Sequence, residues 1–140
     1  MSADPELWAC DTSVAVPALD PNHEAHTVCR QAVLRRRPAL AGHAAFEAHA
    51  VLTRLPVPLR LRPEQAAAVL AAAFPQVCWL GPDGSRELRA DLGALGVVGG
   101  AVFDGLVGRA ASTAGRTLLT RDRRAERTYR ALGVRHELVD

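Results

Sequence analysis

Lysine is absent from this 140-residue chain, and all seventeen basic residues are arginine. The absence excludes mechanisms that need an amine: a P-loop phosphate clamp, a Schiff base, a phospho-aspartate receiver and a haloacid-dehalogenase-type phosphatase. The last two begin from an Asp at a strand end, so they would otherwise compete for Asp11. Together with abundant alanine, the missing lysine reads mainly as GC-rich codon usage. Cysteine is scarce as well. Cys10, Cys29 and Cys78 are scattered and odd in number, which argues against a disulfide framework or a zinc knuckle and for buried free thiols. Aromatic residues make up only 4%. Most stand in apolar runs that read as core, so no stacking platform for bases is expected. No apolar stretch approaches the ~18 residues of a membrane span, and no basic-then-apolar start is present. A cytoplasmic protein with no membrane contact is expected. With no repeat and no linker, residues 1–140 read as a single domain.

What is present is alternation. Leu7 to Cys10, Ala39 to Gly42, Gln76 to Leu80, Thr117 to Thr120 and Val134 to Val139 read as short buried strands. Between them lie helical stretches: Val14 to Leu19, His23 to Arg37 behind an Asn22 cap, His43 to Arg54, and Pro63 to Ala73. Others follow at Arg86 to Leu95 after a "GPDGS" turn, from Gly99-Gly100 to Ala114, and at Arg123 to Leu132. No hairpin signal appears. The pattern predicts an α/β domain with a mostly parallel sheet covered by helices, whose ligands gather at the carboxyl ends of the strands.

Four of the fifteen acids stand where acids are costly. Asp11 directly follows a core strand in "WACDTSVAVPAL". Glu47 lies in "HAAFEAHAVL" and Asp104 in the apolar helix "GGAVFDGLVG". Asp122 follows the strand "TLLT" by one residue. Each has an ordinary reading except Asp104. Asp11 and Asp122 can cap helices, and Glu47 can pair with His43 or Arg54. Brought together, the four would repel one another and raise each other's pKa unless a cation were present. Carboxylates without His or Cys suit Mg²⁺ or Mn²⁺ rather than Zn²⁺, and such sites hydrolyse phosphodiesters. Gly100, Asp104 and Gly108 share a helix face. The glycines either make room beside the carboxylate or permit close helix packing, and the sequence leaves both readings open.

In their order, "ACDTSVAVPAL", "HAAFEAHAVLTRLP", "GGAVFDGLVGRAA" and "LLTRDRRAERTYRALGV" resemble the PIN-domain ribonucleases, and within them the VapC toxins of type II toxin–antitoxin systems. The likeness spans essentially the whole chain, and is looser around Glu47 than around Asp104. It implies a PIN-like fold, a twisted parallel sheet of four or five strands flanked by helices. It also implies Asp11, Glu47, Asp104 and Asp122 as a catalytic, metal-binding cluster, with Ser13 and Thr120 beside it and Thr12 as a weaker candidate. The implied activity is Mg²⁺- or Mn²⁺-dependent cleavage of RNA, usually tRNA or ribosomal RNA. The implied partners are a cognate antitoxin and a second copy in a homodimer. An alternative is a PIN-like module that binds RNA or protein without cutting. A phosphatase or a structure-specific DNA nuclease is a third reading.

RNA is a polyanion, so an acidic site needs cations nearby. Arg121 and Arg123 flank Asp122 and are candidates for phosphate contact. Arg124 and Arg127 belong to the same basic set, and Arg35-Arg36-Arg37, Arg54, Arg60 and Arg62 form another. His23 and His26 have no third ligand nearby and read as a solvated face.

Overall fold

A computed structural model describes residues 5–140. The elements run β1 (Trp8–Cys10), α1 (Thr12–Leu19), α2 (His26–Arg36), β2 (Ala39–Ala41), α3 (Ala44–Leu52) and α4 (Pro63–Ala73). They continue with β3 (Val77–Cys78), α5 (Pro82–Ala94), α6 (Ala101–Thr113), β4 (Thr117–Thr120), α7 (Glu126–Ala131) and β5 (His136–Leu138). The five strands form one sheet in the order β3-β2-β1-β4-β5, and every pairing is parallel. This is the architecture the family resemblance implies, with five strands.

Each strand is only two to four residues long, yet the period of two still sorts the core. Cys10, Leu40 and Leu119 face one side, packed with α1 to α4 through Val14, Cys29, Leu52 and Phe74. Ala9, Ala39, Ala41 and Leu118 face the other, against Val107 and Ala111 of α6 and Tyr129 of α7. Small alanines on that second face let α6 lie close to the sheet. All three cysteines are free and buried, and burial pushes the Cys10, Cys29 and Cys78 thiols above the usual range. Among the described residues no helix is long and apolar enough to cross a membrane.

The largest departures from the sequence expectation are at the starts of three helices, α2, α5 and α7. "GPDGS" is not a free turn. Pro82 occupies the first helical position, and Ser85 N–H donates to the Gly81 carbonyl at 2.9 Å, so α5 begins there. Proline's fixed φ suits that position, and Asp83 in the first turn suits the helix dipole. The helix expected from His23 starts at His26. Asn22 does not cap it: the helix is entered at Ala25, and Asn22 N–H and His23 N–H donate to Asp20 in a preceding turn, at 3.0 and 3.1 Å. The last helix starts at Glu126 rather than Arg123, because Asp122 heads a separate turn.

Candidate active site

β1 and β4 are neighbours, so the residues leaving their carboxyl ends meet. Asp11 caps α1. Its Oδ1 accepts from Ser13 N–H at 3.0 Å and from Ser13 Oγ–H at 2.5 Å. Ser13 Oγ in turn accepts from Arg121 N–H at 2.8 Å and lies 3.3 Å from Thr120 Oγ1. Thr120 Oγ1 accepts from Asp122 N–H at 3.1 Å. One small polar network therefore stitches the two strand ends together and fixes both acids. Asp122 Oδ1 accepts from Arg124 and Ala125 N–H at 3.0 and 3.3 Å. The capping reading thus holds for Asp11, whereas Asp122 binds the backbone of a turn that precedes α7 and caps no helix; each leaves carboxylate capacity free.

Asp11 is buried, at 5% exposure. Burial raises its pKa, and the Ser13, Thr120 and Tyr129 hydroxyls offset only part of that rise. The third hydroxyl was not foreseen. Tyr129, 1% exposed, donates its Oη–H to Asp11 Oδ2 at 2.8 Å. A tyrosine in "ERTYRA" reads as core, and it is core. Its second role depends on α7 packing against the end of β1, which no local pattern reports. Asp11 raises the Tyr129 pKa in return, after burial, so the phenol stays protonated and remains a donor.

Glu47 sits in the first turn of α3, with Oε1 3.8 Å from His43 Nε2. Burial raises its pKa, His43 lowers it and Asp11 raises it. Asp104 lies in the first turn of α6. Its pKa is pushed up to about 6, first by burial, then by the charges of Asp122, Asp11 and Glu47, with Arg124 opposing. Among the described residues no hydrogen bond reaches its carboxylate. The structure therefore brings the four acids within electrostatic reach of one another, on four separate elements, and Asp104 is the one without a partner.

They do not form a closed cage: among the described residues no three His, Cys, Asp or Glu side chains are gathered tightly enough to wrap an ion. The electrostatic coupling and this open spacing describe the same arrangement, a loose ring of like charges. Mg²⁺ takes only one or two carboxylates directly and keeps several waters, so an all-oxygen set under mutual repulsion fits it. Asp11, Glu47, Asp104 and Asp122 are the residues that could hold such an ion.

The surroundings divide the other candidates. Arg124 is the arginine beside the acids, with Nε 4.0 Å from Asp122 Oδ1. Arg123 instead lies 3.6 Å from Asp140. Arg121 enters through its backbone N–H, while its Nε is buried without a partner. Arg36 stacks 4.0 Å over Trp8 and pairs with Glu137 at 3.2 Å, so it serves the fold. Of the glycines flanking Asp104, Gly108 permits packing: a Cβ there would meet Val134 Cγ2 at 2.9 Å and Tyr129 Cδ1 at 3.0 Å. Gly100 faces open space. The expectation that most aromatics are core fails for three of them. Phe46, Trp79 and Phe103 are exposed, because α3 buries Ala44, Ala48 and Leu52 and so turns Phe46 outward. A concavity of about 790 Å³ lies elsewhere, between α1, α2 and the end of α4, and none of the four acids lines it.

The chain matches no protein-family model. It is 43% identical over 126 residues to Ribonuclease VapC27 of Mycobacterium tuberculosis, spanning 90% of this chain and 92% of that protein. It is 44% identical over 134 residues to Ribonuclease VapC40 of the same species, spanning 95% of this chain and 99% of that one. Among solved structures it is similar to VapBC2 from Rickettsia felis bound to a DNA fragment from their promoter, with a TM-score of 0.67 over 96% of this chain and 99% of that one. At 14% identity that likeness is one of fold.

Proposed function

Because the chain belongs to the VapC ribonuclease family, we propose that it is the toxin of a type II toxin–antitoxin system, a Mg²⁺- or Mn²⁺-dependent endoribonuclease acting on cytoplasmic tRNA or ribosomal RNA. The observation that carries this reading is the convergence of Asp11, Glu47, Asp104 and Asp122 from four elements at the carboxyl edge of the sheet, with Asp104 unpaired. A cognate antitoxin is the proposed inhibitor, in keeping with the VapBC pairing named for the solved relative, and a homodimer is the proposed assembly.

When bound, a divalent cation supplies a water of lowered pKa and charge stabilisation for the leaving oxygen. The chain's own part is positioning. Ser13 and Tyr129 fix the two oxygens of Asp11 separately, so that carboxylate cannot rotate without losing a bond. Backbone N–H groups hold one oxygen of Asp122 and leave the other free. Asp104 accepts no hydrogen bond among the described residues, so its carboxylate would be available to such an ion. Arg124 stands beside Asp122 as a cation able to meet a phosphate.

The test is incubation of antitoxin-free protein with total cellular RNA, with Mg²⁺ or Mn²⁺ and with chelator. Discrete fragments that disappear with chelator and with Asp104→Asn support the reading. A folded protein that cuts no RNA under either metal, or an Asp104→Asn variant as active as its parent, refutes it in favour of a binding module. Cleavage of DNA alone would refute it in favour of a DNA nuclease.

A further inference from the structure

Four rings form a continuous row beside the acids. His43 stacks on Phe103, with centroids 5.1 Å apart and planes 17° apart. His43 also meets Phe46 at 6.5 Å, and Phe46 meets Trp79 at 5.5 Å. The row joins three segments: the first turn of α6, the start of α3 and the residue after β3. Phe46 is 63% exposed, Trp79 58% and Phe103 48%. Three large aromatics left in water in a chain with only six need an explanation in function rather than in packing.

Their placement gives one. Phe46 precedes Glu47 and Phe103 precedes Asp104, so on each helix a ring stands about 100° round the axis from an acid. His43 is the residue that approaches Glu47. The row is therefore the immediate flank of the candidate active site. That site has an electrostatic problem: four carboxylates face a polyanionic substrate, and Arg124 is the cation that opposes the charge at Asp104. Contacts to the bases would add affinity that the acids at the site do not oppose. Base stacking on aromatic rings is such a contact, since every base has a π-face whatever its identity. It requires unstacked bases, which single-stranded loops supply and A-form duplex does not.

We propose that His43, Phe46, Trp79 and Phe103 form a stacking row that holds unpaired nucleobases next to the scissile phosphodiester. The proposal rests on the ribonuclease reading above, and its test is independent of cleavage.

The probe is a labelled, unstructured oligouridylate, with an RNA duplex of equal length for comparison, titrated by fluorescence anisotropy in chelator so that nothing is cut. The parent should bind the single strand more tightly than the duplex. Phe46→Ala and Trp79→Ala should each weaken single-strand binding by roughly 5- to 150-fold, while Trp79→Phe should largely restore it. Both positions are exposed, so folding is not at stake. In a Trp8→Phe background, Trp79 fluorescence should be quenched as the oligonucleotide binds. Unchanged affinity in both alanine variants would overturn the proposal. So would alanine variants that keep their RNA affinity but shift the sedimentation coefficient or lose the antitoxin, which would make the row a protein interface. A parent that cuts cellular RNA while the row variants bind and cut equally well sinks the stacking row and leaves the nuclease standing; a parent that cuts nothing sinks the nuclease itself.

Discussion

Replacing Asp104 with Asn should make the metal-free protein more stable while removing its activity. Asp104 has its pKa raised from 3.8 to about 6, so the folded state holds that proton more tightly than the unfolded chain does. Between those two values the folded state carries more proton, and stability falls as pH rises through the window. Below pH 3.8 the penalty is gone; above about pH 6 it is complete. At ~1.4 kcal/mol per unit the shift corresponds to ~3 kcal/mol. The carboxylate remains partly in water, and solvent screening reduces the figure to ~1 kcal/mol. Asparagine keeps the shape and removes the charge, so Asp104→Asn should raise Tm by roughly 3–4 °C near pH 8 in chelator. Near pH 4 the two proteins should melt together. Added Mg²⁺ should then stabilise the parent more than the variant, because only the parent keeps the full ligand set. Thermal melts by circular dichroism at several pH values, with and without metal, measure all of this. A variant less stable than its parent at pH 8, or a gap of equal size at pH 4 and pH 8, would refute the electrostatic account of Asp104.

Three further outcomes follow from the same geometry. Tyr129→Phe removes the donor to a buried carboxylate and should cost about 1.5–3 kcal/mol of stability at neutral pH, read from the urea midpoint; an unchanged midpoint would mean that Asp11 does not need the phenol. Ser13→Ala leaves Asp11 Oδ1 and Arg121 N–H without their shared partner, and should cost about 1–3 kcal/mol and lower the cleavage rate, measured by urea titration and by RNA fragment yield. Gly108→Ala drives a methyl against Val134 and Tyr129 and should destabilise by about 1–3 kcal/mol through overpacking; a neutral result in thermal melts would show that α6 can shift outward.

Much of the fold was legible because the strands, though short, are apolar and separated by well-signalled helices. α4 and β4 fall on the residues expected for them, Pro63–Ala73 and Thr117–Thr120, since proline opens the first and the run "TLLT" has no helical alternative. The starts of α2 and α7 lie later than the sequence suggests because Asp20 and Asp122 bind the backbone in turns that compete with a simple cap, and α5 starts earlier because Pro82 suits the first helical position. The four acids were visible as charges in apolar settings, a signal each carries in its own neighbourhood. Tyr129 and the row of exposed rings were not. Their roles arise from contacts between elements far apart in sequence, and a lone tyrosine or phenylalanine looks the same whether it fills a core or faces water. Arg124 was one member of a basic set, and only the turn headed by Asp122 distinguishes it from Arg123.

The bond network joining Ser13 to Thr120 and Arg121 spans 107 and 108 residues of sequence, and that separation sets a timetable. During synthesis the amino-terminal half of the chain can fold its first helices while half of the acidic ring does not yet exist. Asp104 and Asp122 are made late, and β4 must slide in beside β1 before Asp11 and Asp122 meet. A nascent chain still tethered to its ribosome therefore lacks a cutting edge, and a fragment cut short before β4 never acquires one. For a protein that would attack the RNA of the cell that makes it, pairing the late-made β4 with the first-made β1 works as a safety catch.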